Sequence, residues 1–359
     1  MNKLKVAIIG CGGIANGKHM PAIKRTEQAE MVAFCDIIEE RASKAAKDYG
    51  VQNAKVFTDY RDLLKLDLDA IYICTPNRSH SEISVAALES GKHVMCEKPM
   101  AINAIEAAKM TAAAKASGKI LTIGYQSRYR GDSRYLKAEC EAGELGEIYF
   151  AKAHALRRRA VPSWGSFLNE YEQGGGPLID IGTHALDLTL WMMNNYSPKY
   201  VTGSAYYKFK NDPAPANAWG DGWKPEEFTV EDSAFGFITM QDGSAIILES
   251  SWALNTLDEG EAQTTLCGTK AGATMRDGLK IHGARHNKLY TTTPVFGAGG
   301  VAFYEGDGTS PEVLEQQTFF GAIRGENELI VLPEQAELVT KILDAIYESA
   351  KQGGKQIEV

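Results

Sequence analysis

Short apolar runs alternate with helical patterns through the first third of the chain. KVAIIG, EMVAFCD, AIYICTP and HVMCEKP are separated by a segment reaching Arg25 and by helices predicted near 39–49 and 80–90. Each run is rich in Val and Ile and apolar on both faces, the signature of parallel strands covered by helices in βαβ units. A further helix over 101–117, stopped by Gly118, leads into a strand over 120–123. After Gly124 the rhythm changes to longer β-rich stretches at 148–156, 200–208, 233–239, 245–252 and 262–267. These predict one large, mostly antiparallel sheet, with helices near 132–141, 177–193 and 334–351. Two Pro/Gly-rich segments, 211–227 and 293–311, read as long loops that could serve as lids, oligomer contacts or plain surface connections. The expected fold class is α/β: a parallel-sheet domain over residues 1–124, then an α+β domain with an open, mostly antiparallel sheet over 125–359.

The length of 359 residues supports that division, because single cores usually stop growing below this size. A net charge of −8 argues against a nucleic-acid surface, which needs clustered cations to displace counterions from phosphate. The one basic cluster, Arg157-Arg158-Arg159, is short. Residues MNKLKVAIIG enter a strand pattern directly, without the features of a signal peptide, and no apolar run approaches a membrane span. A cytoplasmic protein with no membrane partner is therefore expected. The six cysteines, Cys11, Cys35, Cys74, Cys96, Cys140 and Cys267, form no CxxC pair and are expected to be reduced.

Chemistry enters at the end of the first strand. Gly10-Cys11-Gly12-Gly13-Ile14-Ala15 gives GxGxxA where a helix should open. The first Gly permits a tight turn, and the second lets backbone approach a pyrophosphate at the positive helix N-terminus. Ala15 still permits close helix–sheet packing. Asp36 closes the second strand 21 residues after Ala15, near the distance expected of a carboxylate that binds an adenosine ribose. Residues 1–124 are thereby predicted to be a Rossmann domain. The charge of Asp36 would repel a 2′-phosphate, and Ile37-Ile38 offer no phosphate ligand, so NAD is preferred over NADP. Thr75, Pro76 and Asn77 lie where the next parallel strand ends and could contact the cofactor. His80 could cap the following helix or sit near the nicotinamide.

Glu97-Lys98-Pro99 follows the strand HVMC, so Lys98 would emerge at the same sheet edge. There its ammonium could stabilise an alkoxide and shuttle a hydroxyl proton; a solvated surface lysine is the bland alternative. The segment GGGPLIDIGTHALD supplies a bend at Gly174–Gly176, a first-turn Pro177, and Asp180 and His184 four apart on one helix. Such a pair could hold a substrate hydroxyl, with the imidazole as general base. It could instead be a structural pair or a metal half-site. No third ligand with suitable spacing follows, so no metal is expected.

In its glycine loop, Asp36, CTPNRSH, EKP and GGGPLIDIGTHALD, in that order, the sequence resembles the glucose-fructose oxidoreductase and inositol dehydrogenase family, Gfo/Idh/MocA, along nearly its whole length. The resemblance implies a Rossmann domain, an open-faced sheet domain used for substrate and subunit contacts, hydride transfer at a sugar or cyclitol carbinol, and a homodimer or homotetramer. It also implies that Lys98 matches the family's active-site lysine, Asp180 its substrate-binding aspartate, and His184 the proton-accepting histidine. Glu97 and Gln126 join the cofactor set, and Arg128 the substrate set, the YQSRYR segment aligning loosely. Arg157, Arg158 and Trp164 are candidates for specificity, since Trp164 could stack on a sugar face and an Arg could grip an anion. They could equally be a packed Trp and solvated arginines. The activity expected is that of an NAD-dependent dehydrogenase or reductase of a sugar, inositol or glycoside. Its competitors are a glycoside-cleaving or eliminating enzyme that returns its NAD unchanged, and a non-catalytic NAD-binding sensor.

Overall fold

The computed structural model describes residues 2–212, 216–220, 222–296 and 309–359 and divides into two units. The first comprises Met1–Tyr129 and Thr309–Glu337; the second comprises Arg130–Gly308 and Leu338–Val359.

Six strands form the sheet of the first unit: β1 (Leu4–Ile9), β2 (Ala29–Cys35), β3 (Lys55–Phe57), β4 (Ala70–Ile73), β5 (His93–Cys96) and β6 (Leu121–Ile123). They run parallel in the order β3-β2-β1-β4-β5-β6. This is the doubly wound order of a Rossmann sheet, whose direction of winding reverses between β1 and β4. Every residue of β4 is buried, as a strand covered on both faces requires. Helices Glu39–Tyr49, His80–Glu89 and Ala104–Ser117 connect the strands, the last capped by Asn103, whose side chain accepts the Glu106 N–H.

The expected boundary at Gly124 shifts to Tyr129, and a later segment returns to this unit. Helix Pro311–Arg324 places Phe319 edge-on to the fully buried Tyr72, while the Tyr72 hydroxyl donates to Gln316 Oε1 at 2.7 Å. The expectation had assigned this stretch to the second domain because the contacts that recruit it lie more than 240 residues away in sequence. The predicted loop over 293–311 falls largely on residues 297–308, outside the described residues.

Among its described residues the second unit holds nine strands: β7 (Ile148–Leu156), β8 (Pro198–Tyr206), β9 (Ser233–Met240), β10 (Ala245–Ser251), β11 (Gly260–Gly268), β12 (Ala271–Thr274), β13 (Lys280–Arg285), β14 (Lys288–Thr292) and β15 (Ile357–Glu358). Their order is β14-β13-β12-β11-β7-β10-β9-β8-β15, antiparallel except where β7 and β10 pair in parallel. Burial alternates along β9 and β10, so one face is packed and the other more open. The packed face receives the helix Thr183–Met193 against β7 and β11.

Candidate active site

The site begins at the carboxyl ends of β1 and β4. Gly10 has φ +88°, and a Cβ there would lie 2.6 Å from the Cys74 carbonyl carbon, so only glycine lets the loop pass this close to β4. At Gly12 and Gly13 an added Cβ would meet nothing within 4 Å, so packing within the unit does not demand these glycines. The space above them is open to an approaching phosphate, and the helix begins at Gly13 with free N–H groups in its first turn. Ala15 is fully buried and Ile14 half exposed, as close helix–sheet packing on one side and a ligand face on the other require.

Asp36 is anchored from both sides: Oδ2 accepts the Cys11 N–H at 2.8 Å and Oδ1 accepts the Ile38 N–H at 2.9 Å. Its carboxylate is thus fixed beside the glycine loop, with lone pairs left for ribose hydroxyls. Ile37, 89% exposed, follows it and offers no partner to a phosphate. At the end of β4 the buried Thr75 Oγ1 has no hydrogen-bond partner among the described residues, as a group awaiting a ligand would. Pro76 is exposed and Asn77 half buried in the same turn. These features fit a dinucleotide.

Two residues expected to touch the cofactor do different work. His80 is fully buried as the first residue of its helix; Nδ1 lies 2.8 Å from the Pro99 carbonyl and Nε2 3.0 Å from that of Thr75. It is a strut tying the CTPN turn to the EKP turn, and burial lowers its pKa. Glu97 is buried under Lys98 in an ionic cluster. Its Oε1 lies 3.0 Å from Lys18 Nζ and 2.7 Å from His19 Nε2, and its Oε2 accepts the Lys98 N–H at 3.1 Å. Lys18 also pairs with the buried Glu315 at 3.1 Å and donates to Gln126 Oε1 at 3.3 Å. Burial works against charge on Glu97, but Lys18 and His19 overcome it and hold the carboxyl well below its usual range. The turn bearing half-buried Lys98 is therefore braced from beneath.

Sequence reasoning missed Lys18, His19 and Glu315. Consecutive residues of an α-helix diverge by about 100°, yet Lys18 and His19, at the end of the π-helical turn Ala15–His19, reach the same oxygen. No spacing rule signals that. Arg128, expected at the substrate, is completely buried and donates from Nη1 to the Ile330 carbonyl and to Gln335 Oε1, both at 2.7 Å. These bonds fasten the returning segment to its unit.

In the second unit the GGGP bend leads into a π-helical turn, Leu178–Gly182, and then the helix Thr183–Met193. From Pro177 to Leu190 every residue is buried except Asp180 and His184, which are half buried. π-turns are strained insertions found mostly at functional positions. Three residues the sequence did not reveal secure this turn from the sheet side. The fully buried Trp252 donates its indole N–H to Asp180 Oδ2 at 3.0 Å, and Ser250 Oγ donates to the Pro177 carbonyl at 2.7 Å. Glu231 accepts the Gly176 N–H at 2.8 Å, the Leu178 N–H at 3.1 Å and the Tyr347 hydroxyl at 2.8 Å. A Cβ on Gly176 would fall 2.1 Å from the Glu231 carbonyl oxygen, which explains that glycine.

Burial pushes the Glu231 carboxyl up to about 7, against the opposing pull of the bonds from Gly176, Tyr347 and Leu178. A raised carboxyl pKa means the folded chain holds the proton more tightly than the unfolded one. Its contribution to stability is complete below the ordinary carboxylate range and is lost as pH rises through about 7. Thermal unfolding of wild type and Glu231→Gln from about pH 5 to pH 8 should therefore give midpoints that fall with pH in wild type and less so in the variant. Parallel curves would contradict this.

Of the specificity candidates, Arg157 is buried and committed inside the unit. Its guanidinium makes a two-point pair with Glu261 and lies 4.0 Å over the Trp219 ring. Its expected grip on a substrate anion gives way to this internal pairing. Arg158 is exposed, and Trp164 is 49% exposed.

A nucleotide-binding parallel sheet, followed by a sheet unit presenting an Asp and a His from one helix, defines an NAD-binding oxidoreductase acting on CH–OH groups. Residues 4–125 match the oxidoreductase family with the NAD-binding Rossmann fold, and residues 133–274 match the GFO/IDH/MocA C-terminal domain; the chain belongs to the GFO/IDH/MocA family. It is 35% identical over 351 residues to the D-glucoside 3-dehydrogenase of Escherichia coli, spanning 98% of this chain and 96% of that one. It is 32% identical to the glucose-6-phosphate 3-dehydrogenase of Bacillus subtilis over 58% of each chain. The fold is also that of levoglucosan dehydrogenase solved with NADH and levoglucosan, at TM-score 0.83, 21% identity and full coverage of both chains.

Proposed function

We propose that this protein is a glycoside dehydrogenase that oxidises the C3 carbinol of a glucose-configured ring, with NAD as acceptor. The observation that carries the reading is the exposure pattern of the GGGP helix, where only Asp180 and His184 interrupt a buried run, Asp180 being pinned by Trp252. Two relatives named as 3-dehydrogenases of glucose derivatives support the position, and the D-glucoside relative supports the substrate. The glycine loop, Asp36 and Thr75 would hold NAD, whose nicotinamide would supply the hydride acceptor.

The residues of the chain handle the proton. His184 takes it from the substrate hydroxyl, directly or through a relay in which the Lys98 ammonium hands one of its protons to the imidazole as it receives the substrate's, and the Lys98 charge offsets the negative charge that develops on oxygen. Asp180, its Oδ2 bonded to the Trp252 indole, orients the substrate or the imidazole. A homodimer or homotetramer is part of the proposal.

The position is tested with methyl glucoside deuterated at C2, C3 or C4. The C3 label alone should appear in the reduced cofactor. Transfer from C2 or C4 would move the reaction to that carbon and overturn the assignment.

A further inference from the structure

An aromatic cluster on the surface of the second unit joins Trp164 and Phe167, just ahead of the GGGP bend in sequence, to Trp219 from the segment after it. Trp164 faces Trp219 with ring centroids 5.6 Å apart and Phe167 at 5.8 Å. Trp164 and Trp219 remain 49% and 41% exposed. Two indoles left in water cost solvation free energy, so a surface of this kind is one that something covers.

What covers it is indicated by the adjoining cleft, which has a volume of about 890 Å³, the size of a small-molecule site. Its wall carries Ser163, Ser166, Asn169, Lys224, Glu226 and Glu227. Hydroxyl, amide and charged groups of both signs therefore line a cleft that adjoins the aromatic cluster through Ser163 and Gly165. A pyranose has the matching surface, with a flat C–H face and a rim of hydroxyls that both donate and accept. A protein partner would favour an apolar centre in place of this mixture.

A short chain of contacts ties the cluster to the catalytic helix. Arg157 stacks on Trp219 and donates to the Ala160 carbonyl; the Ala160 N–H donates to the Trp252 carbonyl; the Trp252 indole holds Asp180. On the cleft side, Gln173, the residue before the glycine bend, donates to Ser166 Oγ at 2.6 Å.

We propose that Trp164, Trp219 and the adjoining cleft form a second sugar subsite, which holds a pyranose linked to the ring that is oxidised. The proposal rests on the glycoside-dehydrogenase reading and makes disaccharides or longer glycosides the preferred substrates over simple methyl glucosides. Phe167 and Trp219 set the tilt of Trp164, and the polar wall engages the hydroxyl rim of the second ring.

Kinetics and direct binding test it together. In Trp164→Ala, the ratio of kcat/KM for cellobiose to that for methyl β-glucoside should fall about tenfold, the scale of one lost stacking contact. Trp164→Phe should recover most of it. Cellobiose should quench the tryptophan emission of the NAD-loaded wild type, and the quench should be weakened in Trp164→Ala. If neither glycoside is oxidised, the dehydrogenase reading fails while the quench still decides the subsite. An unchanged ratio with an unchanged quench overturns the proposal. So does dissociation of an oligomer by Trp164→Ala with sugar binding intact, which would assign the cluster to a second copy of the chain.

Discussion

Lys98→Ala lowers kcat by about two orders of magnitude or more, the scale of a positioned acid/base group, while NAD still binds. The loss is expected to be large because the protein invests several buried groups beneath this residue. The Lys98 backbone N–H is held by Glu97, whose charge is secured by Lys18 and His19, and Lys18 is in turn held by Glu315. Such bracing fixes a side chain at the carboxyl end of β5, where ligands of doubly wound sheets collect. NAD affinity should survive, because Asp36 and the glycine loop make their contacts independently of Lys98. Steady-state kinetics and a fluorescence titration with NADH measure the two quantities. Turnover within a few fold of wild type would remove Lys98 from the reaction.

His184→Asn should reduce kcat by a comparable factor and also change the shape of the pH profile. A general base must be neutral to accept a proton, so wild-type oxidation should weaken as pH falls through the imidazole range. The variant keeps a polar side chain of similar reach without that titration, and the acidic limb contributed by the imidazole should vanish. A purely structural histidine would lower activity evenly across pH. An acidic limb persisting unchanged in an active variant would therefore count against His184 as the base.

Much of this architecture was legible in the sequence because it rests on local rules. Apolar runs of period-free character gave the parallel strands, and the predicted helix at 39–49 is the observed Glu39–Tyr49. The strand predicted at 148–156 is Ile148–Leu156. Glycine placement and the distance to Asp36 indicated the nucleotide loop. Three short strands at one end of the sheet, Ala271–Thr274, Lys280–Arg285 and Lys288–Thr292, escaped notice because they carry Gly, His and Lys among few apolar residues.

What surrounds the candidate catalytic residues was least legible. Trp252, Glu231 and Glu315 act through contacts that bridge 72, 55 and 297 residues of sequence. Nothing in their own neighbourhoods distinguishes them from ordinary strand and helix residues. The π-turns at Ala15–His19 and Leu178–Gly182 compound the difficulty, since they rotate side chains away from where an α-helical count puts them. Conversely, Arg128 drew attention through the loosely aligned YQSRYR segment and Arg157 as a cation that could grip a substrate anion, and burial committed both to internal partners.

The central claim is net hydride transfer between a glycoside carbinol and NAD. Purified protein should be given NAD with methyl glucosides, disaccharides, inositols and uronates, and absorbance followed at the NADH band. The account predicts a sustained rise with glucosides that is stoichiometric with a 3-keto product. A failure to form NADH from any glucoside, together with no oxidation of NADH by the corresponding keto-glucoside and with NAD binding intact, would contradict it.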